Sequence, residues 1–192
     1  MNVDVFLCSC ARDAIRQGLF AAVYARWGEE RGINLKLVTP EVVKCSLLHF
    51  QGARRLWAEE RSESDIYILA EDDCLPLGRN FVERGMKVME RHPEFATLSP
   101  MLLPFPPQFT PLDDEVATGI TSGGINFTRR GLIDKAVINS RLPWDECAQA
   151  EHLKEKGHLV GWMRNVKCNH TGATLSTLWP EPYTGVTSVN DA

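Results

Sequence analysis

The stretch IYILAEDDC, residues 66–74, decides how this chain is read. Its opening IYIL is a short, continuous apolar run, typical of a strand that is buried on both faces. The stretch then turns abruptly into adjacent carboxylates, Glu71, Asp72 and Asp73. Placing such charges at the mouth of a buried strand costs free energy unless something compensates for them. The stretch therefore predicts a buried strand with a charged site at its carboxyl end.

A divalent cation is the usual compensation for such a cluster, and Mg²⁺ or Mn²⁺ suits carboxylate oxygens best. In an open α/β sheet, ligands also bind at the carboxyl ends of the strands. A simpler interpretation is a strand followed by a polar turn, because acidic residues are common after strands and Pro76 and Gly78 continue the loop. Features elsewhere in the sequence are needed to choose between a cation site and a polar turn.

The composition is that of an ordinary globular domain, with 192 residues of which 44% are hydrophobic and 24% are charged. A formal charge of −4 argues against a broad nucleic-acid-binding face. The 6 cysteines form no CxxC pair and no zinc-ribbon spacing, which favours free thiols in a reducing cytosol. No apolar segment is long enough for a signal peptide or a membrane helix. We therefore expect a cytoplasmic protein without a membrane span.

Strand and helix patterns alternate along the chain. Strands are expected at residues 3–8, 33–38, 66–70, 95–99, 123–127 and 159–166, and helices at 11–31, 52–62, 80–92, 129–137 and 144–156. The buried side of the second helix is expected to carry Leu56 and Trp57. The prolines between Pro100 and Pro111 predict an irregular loop. This alternation predicts an α/β fold with a mostly parallel sheet and helices on both faces.

Segments spread along the chain resemble the GT-A glycosyltransferases, especially the family-2-like members. They are GARRLWAEERSESDIYILAEDD with its acidic motif ILAEDDC, then GGINFTRRGL, WDECAQAEHLKEKGH and VKCNHTG, in that order. The resemblance implies a GT-A fold, with one domain over residues 1–175. Its nucleotide-binding half would span residues 1–75 and its acceptor half residues 76–175, and a tail would follow at 176–192.

The resemblance also implies a nucleotide-diphosphate sugar as the donor, linked to UDP or GDP, and a Mn²⁺ or Mg²⁺ ion. Asp73 would bind the metal, Glu71 would contact the donor ribose or sugar, and Asp72 would act through the ribose or a metal-bound water. His170 would be a further metal or phosphate ligand, or else an ordinary loop histidine.

The donor side of the family pattern falls on further residues. Ser9, Arg12 and Asp13 follow the first strand, where the family holds the nucleotide base and ribose. Arg12 would meet phosphate or be solvated. Arg54 and Arg55 are candidates for the diphosphate, although a solvated helix face is the simpler expectation for both.

The acceptor side of the pattern centres on an acidic pair, Asp145 and Glu146, at the start of a helix. One of them would be the general base that takes the acceptor proton, which implies inversion at the anomeric carbon. The alternative is helix N-capping, which favours acidic residues without any catalysis. Arg129 and Arg130 would reach phosphate or acceptor or lie on the surface, and Trp144 would stack on a sugar or fill the core.

The same residues also bear on two other classes of function, a nucleotidyltransferase and a non-catalytic binding module. A nucleotidyltransferase usually carries a glycine-rich basic loop after the first strand, and CSCARDA, residues 8–14, is not one. No GxGxxG or P-loop motif is present either. A non-catalytic sugar- or nucleotide-binding module predicts the loss of one acidic site, whereas both are present. The acceptor is open, and the acidic net charge makes a nucleic acid the less favoured choice.

Overall fold

The computed structural model describes residues 3–9, 14–46, 49–103, 110–119, 124–138 and 145–171, with the backbone alone for residues 14–16, 137–138 and 145–148. The strands are β1 Val3–Cys8, β2 Ile33–Val38, β3 Ile66–Glu71, β4 Cys74–Pro76, β5 Phe95–Leu103, β6 Thr110–Pro111, β7 Val116–Thr118, β8 Ile125–Arg129 and β9 Leu159–His170. The helices are α1 Ala14–Gly28, α2 Pro40–Val43, α3 Phe50–Arg61, α4 Phe81–Arg91, α5 Lys135–Ile138 and α6 Asp145–Glu155.

The described strands form one sheet in the order β2-β1-β3-β8-β5-β9-β7-β6, with β4 paired to β9. β1 is parallel to both β2 and β3, and β5 is parallel to β9. β8 lies between these two groups and is antiparallel to both β3 and β5, so the two groups point the same way. The prediction of an α/β fold with a mostly parallel sheet is confirmed.

Helices cover both faces of this sheet. Successive side chains of a strand point to opposite sides, so neighbouring residues of β1 pack against different helices. Leu7 of β1 belongs to the larger buried cluster, which Trp27 of α1 and Phe81 of α4 complete. The neighbouring Phe6 belongs to a second cluster with Ala58 of α3. β1 is therefore buried on both faces, as an inner parallel strand should be.

The register of β5 and β9 shifts at Pro100, and residues 164–166 of β9 have no counterpart on β5. The backbone N–H of Arg164 donates to the carbonyl of Glu115 at 2.7 Å, so the loop before β7 holds this bulge in place. Proline is tolerated at bulges because its missing N–H breaks no ladder there. The prediction of an irregular loop from Pro100 to Pro111 is therefore wrong at both ends, since Pro111 lies in β6.

β8 continues to Arg129, where the sequence predicts the start of a helix. The Arg129 guanidinium donates to the backbone carbonyls of Phe95 at 2.9 Å and of Met89 and His92. These last two carbonyls lie in and just beyond the last turn of α4, where helical carbonyls lack partners within the helix. Arg129 therefore joins β8 to the end of α4, which corrects the expectation of a phosphate, acceptor or surface role.

Other boundaries differ from the predictions for local reasons. The strands β4, β6 and β7 were not predicted, because runs of two or three residues are too short to show a period. β5 and β9 are longer than predicted and extend to Leu103 and His170. α1 ends at Gly28 rather than at residue 31.

α4 lies against β8 through a glycine. A Cβ added at Gly85 would lie 2.4 Å from Phe127 Cζ, closer than any real contact. Phe127 is fully buried and cannot move away without opening the core. Gly85 is therefore required by packing rather than by backbone conformation.

We expect Gly85→Ala to lower the free energy of unfolding by about 1–3 kcal/mol, because the added methyl overpacks the contact with Phe127. Gly18→Ala is the matched control, since Gly18 lies within α1 and has no neighbour within 4 Å of an added Cβ. That change should stabilise the chain by about 0.5–1 kcal/mol through helix propensity. Urea unfolding measures both, and equal effects of the two changes would contradict the packing argument.

Candidate active site

The candidate site lies at the edge of the sheet where β1 and β3 end. These strands are parallel neighbours, and Cys8 pairs with Glu71 at their carboxyl ends. The residues that follow, Ser9 after β1 and Asp72 and Asp73 after β3, therefore emerge side by side. This edge is where ligands bind in open α/β sheets.

Asp72 is held to the end of β1. Ser9 Oγ donates a hydrogen bond to Asp72 Oδ2 at 2.7 Å, and both side chains are buried. The backbone N–H of Ser9 donates in turn to the carbonyl of Val38 at the end of β2. The structure thus brings together two residues that the sequence predicts near the donor.

Glu71 is paired with an arginine from α3. Arg54 Nη2 donates to Glu71 Oε1 at 2.6 Å, and the Arg54 side chain is 3% exposed. Burial alone would raise the pKa of Glu71, but the charge and the hydrogen bond of Arg54 outweigh it and lower that pKa below its usual value. Glu71 is therefore an ionised carboxylate near neutral pH.

Two of the three arginines of α3 face inward, and Arg55 is buried as deeply as Arg54. The expectation of a solvated helix face for them is wrong. Leu56 and Trp57, expected on the buried side, are half-buried, and Trp57 packs against Phe6 and the second cluster as expected. For Arg54 the reason is electrostatic, since its guanidinium pairs with the Glu71 carboxylate at the end of β3. Hydrophobic periodicity alone cannot show the burial of a charged side chain.

Asp73 and His170 meet across the β4–β9 pair. His170 Nδ1 lies 3.8 Å from Asp73 Oδ2, and Cys74 pairs directly with His170 in the antiparallel register. Thr171 fixes the backbone here, because its N–H and its Oγ1 both donate to the Asp73 carbonyl, at 2.7 and 2.6 Å. His170 is thus the last residue of a strand rather than a loop residue.

Ligand atoms of Glu71, Asp73, Cys74 and His170 all lie within 4.8 Å of one another. Ligands about 2.1 Å from one cation are separated by no more than about 4.2 Å, so small side-chain adjustments would let these atoms share an ion. Two carboxylates and an imidazole are an acceptable donor set for Mn²⁺. The residues present therefore fit a divalent cation.

Cys74 belongs to this group although the sequence analysis did not select it. Burial, followed by the charges of Asp73 and Glu71, raises the pKa of the Cys74 thiol well above its ordinary value. Cys74 Sγ donates to Asp73 Oδ1 at 3.6 Å. Cys74 directly follows the carboxylates in the sequence, and this position could have marked it as a possible ligand. The direction of its side chain depends on β4, however, and that strand is too short to predict.

Several predicted site residues fall partly or wholly outside the described residues. Arg12, Asp13 and Trp144 lie outside them. Asp145 begins α6, so the predicted helix start is observed, but the side chains of Asp145 and Glu146 are not among those described. Their role as a base or as a helix cap stays a prediction.

Arg130 lies away from this group. Its guanidinium donates to the backbone carbonyl of Ser62, just past the end of α3. Like Arg129, it donates to a backbone carbonyl, and it is exposed, which agrees with the surface alternative rather than with a role at phosphate or acceptor.

Among the helices that the structure describes, none combines the length and the apolar character needed to cross a bilayer.

No protein-family model matches the sequence, and no curated protein matches it significantly. Solved structures do match the fold. CMP:2-keto-3-deoxy-manno-octonic acid synthetase complexed with CTP has a TM-score of 0.57 at 13% identity, covering 96% of this chain and 99% of that one. TarS from S. aureus has a TM-score of 0.58 at 10% identity, covering 90% of this chain and 61% of the TarS chain.

A glycosyltransferase involved in glycosylation of the major capsid of PBCV-1 has a TM-score of 0.51 at 10% identity, covering 94% of this chain and 88% of the other. At such low identity these likenesses concern the fold alone. Together with the sheet order, they show that the chain has the GT-A-like fold of nucleotide-diphospho-sugar transferases.

We expect Arg54→Met to lower the free energy of unfolding by roughly 3–5 kcal/mol, because it leaves the Glu71 carboxylate without its buried partner. The double variant Arg54→Met with Glu71→Gln should recover much of that loss. Urea unfolding in EDTA measures the cycle. Arg61→Met is the control, since Arg61 lies on the same helix, is half-exposed and should matter by less than about 1 kcal/mol. An additive double variant would contradict the pairing.

Proposed function

We propose that this chain is a metal-dependent, inverting glycosyltransferase of the family-2-like GT-A type, which moves a sugar from a nucleotide-diphosphate donor to an acceptor hydroxyl. The observation that carries the proposal is the convergence of Glu71, Asp73 and His170 at the sheet edge where β1 and β3 end. Carboxylates are seldom clustered in such a half-buried place without a cation to neutralise them.

Asp73 and His170, with Glu71, would hold Mn²⁺ or Mg²⁺. When bound, the cation would neutralise the negative charge that develops on the departing diphosphate. Arg54 and Arg55 add positive charge on the α3 side of the same edge, and both act electrostatically on Glu71. These charges would add to that of the cation in attracting a diphosphate to this edge.

The hydrogen bond from Ser9 to Asp72 supports a nucleotide site beside the cation. It fixes the Asp72 carboxylate at the end of β1, where its remaining acceptor capacity can meet a ribose hydroxyl or a metal-bound water. Arg12 and Asp13, which follow Ser9 in the sequence, are further residues that the family resemblance assigns to the donor. A donor linked to UDP or GDP fits this proposal equally well.

Asp145 or Glu146 would act as the general base from the start of α6. The acceptor oxygen forms a bond to the anomeric carbon on the face opposite the diphosphate. The bond from that carbon to the phosphate oxygen breaks, and its electron pair leaves with the diphosphate. The hydroxyl proton passes to the carboxylate, which must be ionised beforehand. A single displacement of this kind inverts the anomeric configuration.

A nucleotidyltransferase is the second candidate, because similar folds include a synthetase complexed with CTP and a UTP-bound UGPase. The two functions differ in their products. A glycosyltransferase releases a nucleoside diphosphate from a nucleotide sugar. A nucleotidyltransferase joins a nucleoside triphosphate to a sugar phosphate and releases pyrophosphate from the triphosphate. The described cysteines Cys8, Cys45, Cys74 and Cys168 are free thiols, which fits a proposed reducing, cytoplasmic location. Either function is compatible with that location. A nucleic acid is the least favoured acceptor, given the net charge of −4.

We expect Asp73→Ala to abolish the Mn²⁺-dependent stabilisation of the chain by a nucleotide sugar while leaving the metal-free melting temperature nearly unchanged. A thermal-shift series of UDP- and GDP-sugars with Mn²⁺ or EDTA measures this. Asp114→Ala is the control, because Asp114 is a fully exposed acid outside the cation group. Donor binding that is equally strong in EDTA would refute the metal role.

We expect either Asp145→Asn or Glu146→Gln to lower turnover by roughly 10²–10⁴-fold, the loss typical of removing a general base. Donor binding should stay intact in that variant, because the base faces the acceptor. Release of nucleoside diphosphate from the best donor and acceptor pair measures turnover. Mild and equal effects of the two changes would indicate a helix cap, and pyrophosphate release from a nucleoside triphosphate would favour the second candidate.

A further inference from the structure

The proposed cation group contains a sulfur atom. Cys74 Sγ lies within 4.8 Å of ligand atoms of Glu71, Asp73 and His170. The thiol points at the same carboxylate that would bind the cation, since it donates to Asp73 Oδ1 at 3.6 Å. The Cys74 side chain is fully buried, so bulk solvent does not compete for it.

The backbone gives an independent reason for this placement. Cys74 and His170 are directly opposed in the antiparallel β4–β9 pair. Side chains of directly opposed residues share one face of a sheet, with Cβ atoms about 4.5–5.5 Å apart. Thr171 locks the end of this pair by two hydrogen bonds to the Asp73 carbonyl. Sulfur and imidazole are therefore presented together by the fold and not by a chance side-chain rotation.

Four donors of this kind suit a particular class of cation. Sulfur, imidazole nitrogen and carboxylate oxygen together make a set that Zn²⁺ and Co²⁺ accept, usually with tetrahedral geometry. Mg²⁺ requires oxygen ligands in an octahedral arrangement and gains nothing from a thiolate. A site of carboxylates and imidazole alone already binds Zn²⁺ and Co²⁺ more tightly than Mn²⁺, and a thiolate ligand enlarges that difference.

We propose that Cys74 is a cation ligand and that it strengthens the preference of this site for borderline cations such as Zn²⁺ and Co²⁺ over Mg²⁺ and Mn²⁺. The proposal rests on the cation site of the proposed function and adds a ligand and a selectivity to it. As the bond from sulfur to the cation forms, the thiol proton leaves to solvent, and no oxidation or reduction takes place. Zn²⁺ would thus displace Mn²⁺ from the site.

Cobalt titration of the full chain tests the proposal directly. Co²⁺ bound to a thiolate shows an intense near-ultraviolet charge-transfer band, which oxygen and nitrogen ligands do not produce. We expect this band in the wild type and its loss in Cys74→Ser. Cys168→Ser is the matched control, because Cys168 is equally buried on the neighbouring strand but lies outside the cation group.

Competition between Zn²⁺ and Mn²⁺, followed by the Mn²⁺ paramagnetic resonance signal, tests the selectivity. Cys74→Ser should weaken Zn²⁺ binding by at least about 100-fold. Loss of a residue that only hydrogen-bonds to a metal ligand already costs up to about 100-fold in affinity, and Cys74 would contact the ion directly. Its Mn²⁺ affinity should stay within the same order of magnitude. Far-ultraviolet circular dichroism without metal verifies that the variant folds.

The outcomes separate this inference from the proposed function. If Co²⁺ binds the wild type without the band, or if Cys74→Ser keeps the band, Cys74 is not a ligand although the cation site stands. If neither Co²⁺ nor Mn²⁺ binds, both proposals fail. Should Cys74→Ser not fold, Asp73→Ala serves instead, because the band depends on the whole group and must weaken in that variant as well.

Discussion

The central constraint on this structure is the need to neutralise negative charge at the end of a buried strand. β3 lies between β1 and β8 and delivers Glu71 to a place where water cannot hydrate it fully. The answer within the chain is Arg54, whose buried guanidinium forms a 2.6 Å ion pair with Glu71. This pairing turns the charged side of α3 toward the sheet, because an unpaired carboxylate there would cost more than burying both charges.

Asp73 has different described neighbours. Its described neighbours include the His170 imidazole and the Cys74 thiol, and the loop end is tied down through its carbonyl rather than its carboxylate. The fold thus divides the acidic cluster, with one carboxylate bound to an arginine, one bound to Ser9 and one facing potential cation ligands.

Much of the fold could be predicted from the sequence, because long apolar runs and helical periods determine long elements. The carboxylates after β3 and the histidine near the end of β9 are visible as polar residues that close apolar runs, and the structure brings them to one edge. Their chemical roles stay predictions. The orientation of Arg54 and the position of Cys74 could not be predicted, since each depends on contacts between segments distant in sequence.

Short strands and the contacts of arginine side chains were the other features that could not be predicted from the sequence. β4 has three residues, too few for an alternation, yet it aligns Cys74 with His170. Arg129 continues β8 instead of starting a helix, because its guanidinium is needed by carbonyls at the end of α4. A local pattern contains no information about such long-range partners.

The bulge in β9 has a consequence for how the chain can vary. Residues 164–166 already lack counterparts on β5, so a residue gained or lost there would disturb few ladder bonds. Beyond the bulge the strand is paired again, with β5 over residues 167–169 and with β4 over residues 168–170. A one-residue insertion in that segment would turn the imidazole to the other face of the sheet. Length differences among natural homologues should therefore be found at the bulge and be absent from the three positions that precede the histidine.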